Sequence, residues 1–248
     1  MNYLLLYLAY AVVLLLALAR AGYRAQGAPP AGAPRSTPSR ILIVGATGGT
    51  GRELVTRALA RGHAVTALVR NPSRLRIDHP QLTVVKGDVL DRGSVDAAMR
   101  GQDAVLSALG HQRYFYPTRI LSEGTSNILR AMGAHGVSRF VCETSLGLGD
   151  SAGRLGLPYT LFVIPVILPF YFWDKTRQER AIALSSIEWV IVRPGALTHG
   201  AARGAFRHGP TIGSFLLPVS ISRADVAEFM LDQLTSNAYL RSAPGVCF

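Results

Sequence analysis

The spacing of apolar residues changes along this chain in a repeating order, and the changes mark its elements. Runs of aliphatic and β-branched residues at Ile41 to Val44, Ala64 to Val69, Leu82 to Lys86, Asp103 to Leu109, Arg139 to Thr144 and Glu188 to Arg193 read as six strands. Between and after them, Arg52 to Ala60, Arg92 to Arg100, Pro117 to His135, Asp174 to Ser185 and Ala224 to Leu234 read as helices. In the third of these, Ile120, Leu121, Ile128, Leu129 and Met132 form a stripe suited to burial. Asp91 stands where it caps the second helix, and Ser222 or Asp225 stands near the start of the last. Strands alternating with helices predict an α/β fold: a doubly wound parallel Rossmann sheet with strand order 3-2-1-4-5-6.

Two apolar segments break the alternation. Tyr3 to Ala19 is uninterrupted for about 17 residues, at the short end of what spans a bilayer. No basic residue precedes it, whereas Arg20, Arg24, Arg35 and Arg40 follow. The positive-inside rule then places the catalytic domain on the cytoplasmic side. Residues 1–21 are read as an N-terminal membrane-anchor helix. A cleaved signal peptide stays open, because Ala19-Arg20-Ala21 offers small residues at a suitable spacing. Residues 22–39, rich in Gly, Ala, Pro and Ser, read as a flexible linker, and residues 40–248 as the folded domain. Within that domain, 157–173 (LPYTLFVIPVILPFYFW) is almost wholly apolar but carries Pro158, Pro165 and Pro169, which argue against a regular spanning helix. It reads as a hydrophobic flap, lying either in the lipid interface or on a substrate pocket or dimer contact.

Chemistry enters at Ile41 to Gly51, ILIVGATGGTG, where a strand runs into a glycine-rich turn and then a helix. That is the context of a dinucleotide-binding turn. Gly45 permits a cramped turn, Gly48 close approach of the backbone to a pyrophosphate, and Gly51 tight packing of helix on strand. Arg70 directly follows the second strand, where NAD-specific domains place an acidic residue, and Arg74 is near. A guanidinium there suits a 2′-phosphate, so the expected cofactor is NADP(H). Asp88, after the third strand, is placed to accept from an adenine amino group. The net charge of +11 is scattered, with no Lys/Arg block and no interleaving with aromatic residues, so nucleic acid is not expected as a partner. Membrane lipid and phosphate account for it better. Cys142 and Cys247 build neither a disulfide framework nor a metal site.

The motifs VGATGGTG, LVRNPSRL, KGDVLD, GQDAVLSALG, LSEGTSNILRAMGAHGVSRFVCETS, WVIVRPG and ISRADVAEFML together resemble the atypical short-chain dehydrogenases/reductases, in the group of NmrA-like proteins and the flavin reductases also called biliverdin reductase B. The resemblance covers about residues 40–236. It implies that Gly45, Thr47, Gly48, Gly49, Thr50 and Gly51 surround the pyrophosphate, and that Asp88 and Val89 hold the adenine. Leu109, Gly110, Thr144 and Ser145 then lie along the ribose and nicotinamide, and Pro194 and Gly195 close its side. Ser145 matches an active-site serine of the flavin reductases, whereas Gly195 stands where they carry histidine.

Short-chain reductases commonly use Tyr-x-x-x-Lys on a helix, since residues four apart share a face. Tyr171 and Lys175 have that spacing, although Tyr171 falls inside the apolar flap. The alternatives are Lys175 alone as a cofactor or substrate contact, and an interface tyrosine with a helix-start lysine. His111, in the loop after Gly110, is a candidate substrate contact or an ordinary loop residue. The combined expectation is a membrane-anchored NADPH-dependent oxidoreductase reducing a small-molecule acceptor: a flavin, quinone or carbonyl compound. A non-catalytic NADP-binding redox sensor or scaffold is the alternative, and a sugar-nucleotide epimerase is the least supported.

Overall fold

The computed structural model describes residues 3–21 and 36–248, so most of the segment expected as a linker, up to residue 35, lies outside the described residues. The first six strands of the domain are β1 (Arg40–Val44), β2 (Ala64–Val69), β3 (Leu82–Lys86), β4 (Ala104–Ser107), β5 (Arg139–Glu143) and β6 (Glu188–Pro194). They pair in parallel in the order β3-β2-β1-β4-β5-β6, as the alternation of elements predicts. Four strands of three residues each were not predicted: β7 (Ala196–Thr198), β8 (Arg207–Gly209), β9 (Ser220–Ser222) and β10 (Gly245–Cys247). β10 adds parallel to β6 and β8 antiparallel to β10, while β7 and β9 form a separate small sheet. Three residues are too few for a period of two to show.

Helices cover both faces of the sheet, because successive strand residues point to opposite sides. Ile41 and Ile43 pack with Leu54 and Ala58 of α2 (Gly49–Ala60) and Met230 of α6 (Arg223–Asp232). Leu42 and Val44 pack with Met99 of α3 (Arg92–Met99), Ile128 of α4 (Ile120–His135) and Ile182 of α5 (Pro169–Ala183).

Two helix starts differ from the pattern-based expectation. α4 begins at Ile120 rather than Pro117 because a distant residue caps it. The buried Asp174 carboxylate accepts from Leu121 N at 2.9 Å, Ser122 N at 3.2 Å and Ser122 Oγ at 2.5 Å. α5 begins at Pro169 rather than Asp174, since proline is welcome in a first turn, where its missing N–H is not needed. The flap is therefore not an irregular loop. Tyr159–Ile167 forms a π-helical segment around Pro165, and Leu168 N closes it on Val163 O at 3.0 Å.

The N-terminal helix, α1 (Tyr3–Ala21), is docked on the domain along one stripe. Ala11 and Leu18 are buried and Tyr7 and Leu14 partly so, at helical spacing. Leu18 joins a cluster with Leu146, Leu148, Ile164 and Phe172. Burying one leucine in this way contributes about 1.5–3 kcal/mol.

Candidate cofactor and catalytic site

The carboxyl ends of β1, β2, β4 and β5 open into one cleft of about 700 Å³. This is where a doubly wound sheet binds ligands. Gly45 has φ 84°, and a Cβ there would stand 2.4 Å from Ala108 O. A Cβ on Gly51 would stand 2.0 Å from Gly45 O, so the helix seats directly on the turn. Gly48 N donates to Gly45 O at 2.9 Å, and Gly48 starts α2 with no side-chain cap. The first-turn N–H groups and the positive end of the helix dipole are thus left for an anion. Thr47, Gly49 and Thr50 line the same wall, while Gly51 is buried behind it.

Arg70 and Arg74 line the far end of the cleft, next to Asp88 and Val89. Asn71 holds that corner by accepting from Ser73 N at 3.1 Å. Asp88 accepts from Leu90 N at 3.0 Å, and Asn127 Nδ2 donates to Val89 O at 3.0 Å. Leu109, Gly110 and His111 continue the wall from β4, and Thr144 from β5. Besides Gly51, three expected residues are not on the wall. Ser145 Oγ donates to Leu146 O at 2.9 Å, Pro194 O accepts from Leu146 N at 2.9 Å, and a Cβ on Gly195 would stand 2.8 Å from Val219 O. β6 passes almost directly into β7, so Pro194 and Gly195 serve packing between strands.

Tyr171 and Lys175 both line the cleft, brought there because α5 begins early enough to include the tyrosine. A Cβ on Gly110 would stand 3.5 Å from the Tyr171 hydroxyl, so that oxygen lies beside the end of β4. Lys175 is 3% exposed and its Nζ lies 5.2 Å from the centre of the Tyr171 ring. Burial opposes its charge, but Tyr171, Glu143, Cys142 and Glu179 outweigh burial and hold its pKa above the ordinary lysine value. Glu143 accepts from Thr50 Oγ1 at 3.0 Å. Burial pushes the Glu143 carboxyl up, against the pull of Lys175, Thr50 and Arg223.

An aromatic cluster edges the cleft. His111 meets Tyr171 edge-on at 4.9 Å between ring centres, and Tyr114 meets it at 5.7 Å. His111 Nδ1 accepts from Arg113 N at 3.1 Å, which assigns the proton to Nε2, 2.9 Å from Thr118 Oγ1. Burial lowers the His111 pKa, consistent with a neutral ring.

The sequence reading missed Glu143, Tyr114 and Arg223, which also line the cleft. A carboxylate ending an otherwise apolar strand was the available signal for Glu143. Arg223 crosses over Gly49, where a Cβ would stand 2.4 Å from its Cδ, and no local pattern reveals that approach.

The sequence profile of the family described as NAD(P)H-binding matches residues 45–237. The chain is 32% identical over 204 residues to an uncharacterized chloroplastic protein of Arabidopsis thaliana, covering 79% of this chain and 71% of that protein. It is 32% identical over 217 residues to a 3-diazoavenalumate denitrifying reductase of a Streptomyces species, covering 77% and 67%. Among solved structures, the anaerobillin reductase ChuY of Escherichia coli O157:H7 superposes with a TM-score of 0.67 at 26% identity, covering 84% of this chain and 96% of that one.

Proposed function

This chain belongs to the NAD(P)H-binding family, as an NAD(P)H-dependent reductase of the atypical short-chain dehydrogenase/reductase group, and on that premise we propose that it works at a membrane and reduces a small apolar or planar acceptor with NADPH. The observation that carries the reading is the placing of Tyr171 and Lys175 in the same cleft as the glycine turn.

The residues present fit the cofactor. Gly45 and Gly51 leave a turn that side chains would fill, and the uncapped start of α2 suits a pyrophosphate. Arg70, with Arg74 also on the cleft wall, would hold the 2′-phosphate that distinguishes NADPH from NADH. Asp88 and Val89 would hold the adenine, and Leu109, Gly110 and Thr144 would flank the ribose and nicotinamide. When bound, the nicotinamide supplies a hydride.

The chain's own residues then supply orientation and a proton. The Tyr171 hydroxyl donates the proton that balances the hydride on the reduced acceptor, and is reprotonated from solvent at the cleft mouth. The Lys175 ammonium stabilises the negative charge that develops on the tyrosine oxygen as the proton leaves. Glu143 and Glu179 keep that ammonium charged in a buried place. His111 and Tyr114 present ring faces and edges beside Tyr171, a surface suited to a planar acceptor. Ser145, whose Oγ donates to Leu146 O and which is not among the cleft-lining residues, is given no part in this proton transfer.

The apolar α1 attaches the domain to the bilayer, with Arg20 on the cytoplasmic side. The test mixes purified full-length chain and NADPH with a panel of flavins, quinones and carbonyl compounds. Oxidation of NADPH with at least one acceptor is expected. Tight NADP(H) binding with no oxidation above background by any of them would overturn the reading in favour of a non-catalytic sensor.

A further inference from the structure

The flap and α1 share a feature that neither shows alone. Pro165 and Pro169 lack the N–H groups that an α-helix would aim at the carbonyls of Leu161 and Pro165. Those are the two carbonyls that α1 caps. The Tyr7 hydroxyl donates to Leu161 O, and the Tyr10 hydroxyl donates to Pro165 O at 3.1 Å. In water such carbonyls need no protein partner. In hydrocarbon an unsatisfied carbonyl costs several kcal/mol, so backbone that departs from the α-helical ladder gains from every partner that protein supplies.

The outward sides of both segments are apolar. On α1, Leu5, Val13 and Leu16 are exposed, and no charged residue occurs from Tyr3 to Ala19. On the flap and the first turn of α5, Phe162 is 56% and Trp173 46% exposed. The docked stripe of α1 runs from Tyr7 to Leu18, about 16 Å of helix at 1.5 Å per residue. Because α1 is held to the flap along this stripe, the part of α1 that enters the lipid brings the outer side of the flap to the bilayer with it.

We propose that α1 and the flap enter the lipid together as one docking face, and that the acceptor reaches the cleft from the bilayer rather than from water. This rests on the membrane reductase reading above. Tyr171, inside the apolar stretch 157–173, lines the cleft, so one end of the flap reaches the site itself. The acceptor class is therefore a planar, reducible head group carried on a lipophilic tail.

Two measurements test this on the full-length chain. The chain has two tryptophans: Trp173 is exposed, whereas Trp189 is 2% exposed in the core. In vesicles of phosphatidylcholine brominated on its acyl chains, tryptophan emission of the wild type is expected to fall about twofold, and that of Trp173→Phe to stay unchanged. A chain that floats with the vesicles but is not quenched overturns the shared docking face while leaving the anchor and the reductase reading intact. That outcome includes a face covered by a second copy. A chain that never floats overturns the anchor as well.

Second, Phe162→Asp is expected to lose at least tenfold in rate with a quinone bearing a long isoprenoid tail in the vesicle. It should keep its rate with a short-chain, water-soluble quinone, which also reports that it folds. Equal rates on both acceptors overturn delivery from lipid, as does an equal loss on both. Absence of turnover by the wild type with either quinone overturns a lipid-borne quinone as the acceptor, while the reductase reading is decided by the wider panel and the docking face by quenching.

Discussion

Lys175 Nζ stands 5.2 Å from the centre of the Tyr171 ring, one helical turn along α5 and almost wholly buried. Removing the hydroxyl without changing the ring separates proton delivery from packing. Tyr171→Phe is expected to lower kcat by about 10²- to 10⁴-fold, the usual worth of a positioned general acid. Its Kd for NADPH should stay within about twofold, since the hydroxyl serves the acceptor side. Lys175→Met, which keeps the length of the side chain, should lower kcat in the same direction. Stopped-flow turnover and fluorescence titration of NADPH read the two quantities separately. A Tyr171→Phe enzyme with unchanged kcat would remove the tyrosine from the chemistry.

On the proposed reading, cofactor choice turns on Arg70, which directly follows β2 and lines the cleft. A charged hydrogen bond contributes about 1.5–3 kcal/mol, roughly ten- to a hundredfold in affinity. Arg70→Glu removes such a partner and adds repulsion, so NADP binding should weaken by at least that factor. NAD has no 2′-phosphate and should change by less than about threefold. Calorimetric titration with both cofactors decides the matter, and equal losses would show that Arg70 does not meet the 2′-phosphate.

The six leading strands were legible because each is a short apolar run with its own boundary signals, and their order is the one that the doubly wound fold gives to strands alternating with helices after a glycine turn. The glycine turn was legible from its spacing and from the strand before and helix after it, although Gly45 must also clear Ala108 at the end of β4, which no local pattern reveals. What the sequence hid was set by distant partners. Asp174 trims the start of α4 from a different helix. Pro169 reads as a breaker in an apolar run, yet opens α5 and thereby carries Tyr171 into the cleft. The docked stripe of α1 could not be read from periodicity, because a uniformly apolar helix has none. Lys175 was singled out by its spacing from Tyr171, but Glu143 and Glu179, which keep it charged, lie on strand and helix positions with no motif of their own.

A buried ion pair braces the wall behind Thr144. Glu179, with no exposed surface, accepts from Arg193 Nε at 2.9 Å and Nη2 at 2.7 Å, and from Thr144 Oγ1 at 2.7 Å. Arg193 also pairs with Asp150. Truncating one partner strands much of a buried charge, at a cost of about 3–5 kcal/mol, whereas replacing both by apolar groups costs much less. Glu179→Ala should therefore lower the free energy of unfolding in urea by about that amount. The double variant Glu179→Met with Arg193→Met should recover a large part of the loss. A double variant as unstable as the sum of the singles would show that the two side chains do not act as a pair.

Asp225 links the start of α6 to the loop before β8, and its protonation state should govern how that link holds. Ser222 Oγ donates to Asp225 Oδ2 at 2.6 Å, and Arg203 N and Gly204 N both donate to Oδ1 at 2.9 Å. Burial works to raise its pKa, but these hydrogen bonds, with the Arg57 charge, outweigh burial and hold it below the ordinary value. A carboxyl whose folded pKa is depressed stabilises the fold above its unfolded pKa of about 3.9, and that contribution disappears as pH falls through the lower folded value. Asp225→Asn retains the shape without the titration. The gap in Tm between wild type and Asp225→Asn should thus be constant above about pH 5 and shrink steadily below about pH 4. Thermal melts followed by circular dichroism across that range provide the check, and a gap that stays constant into acid would mean the carboxylate's charge contributes nothing to the link.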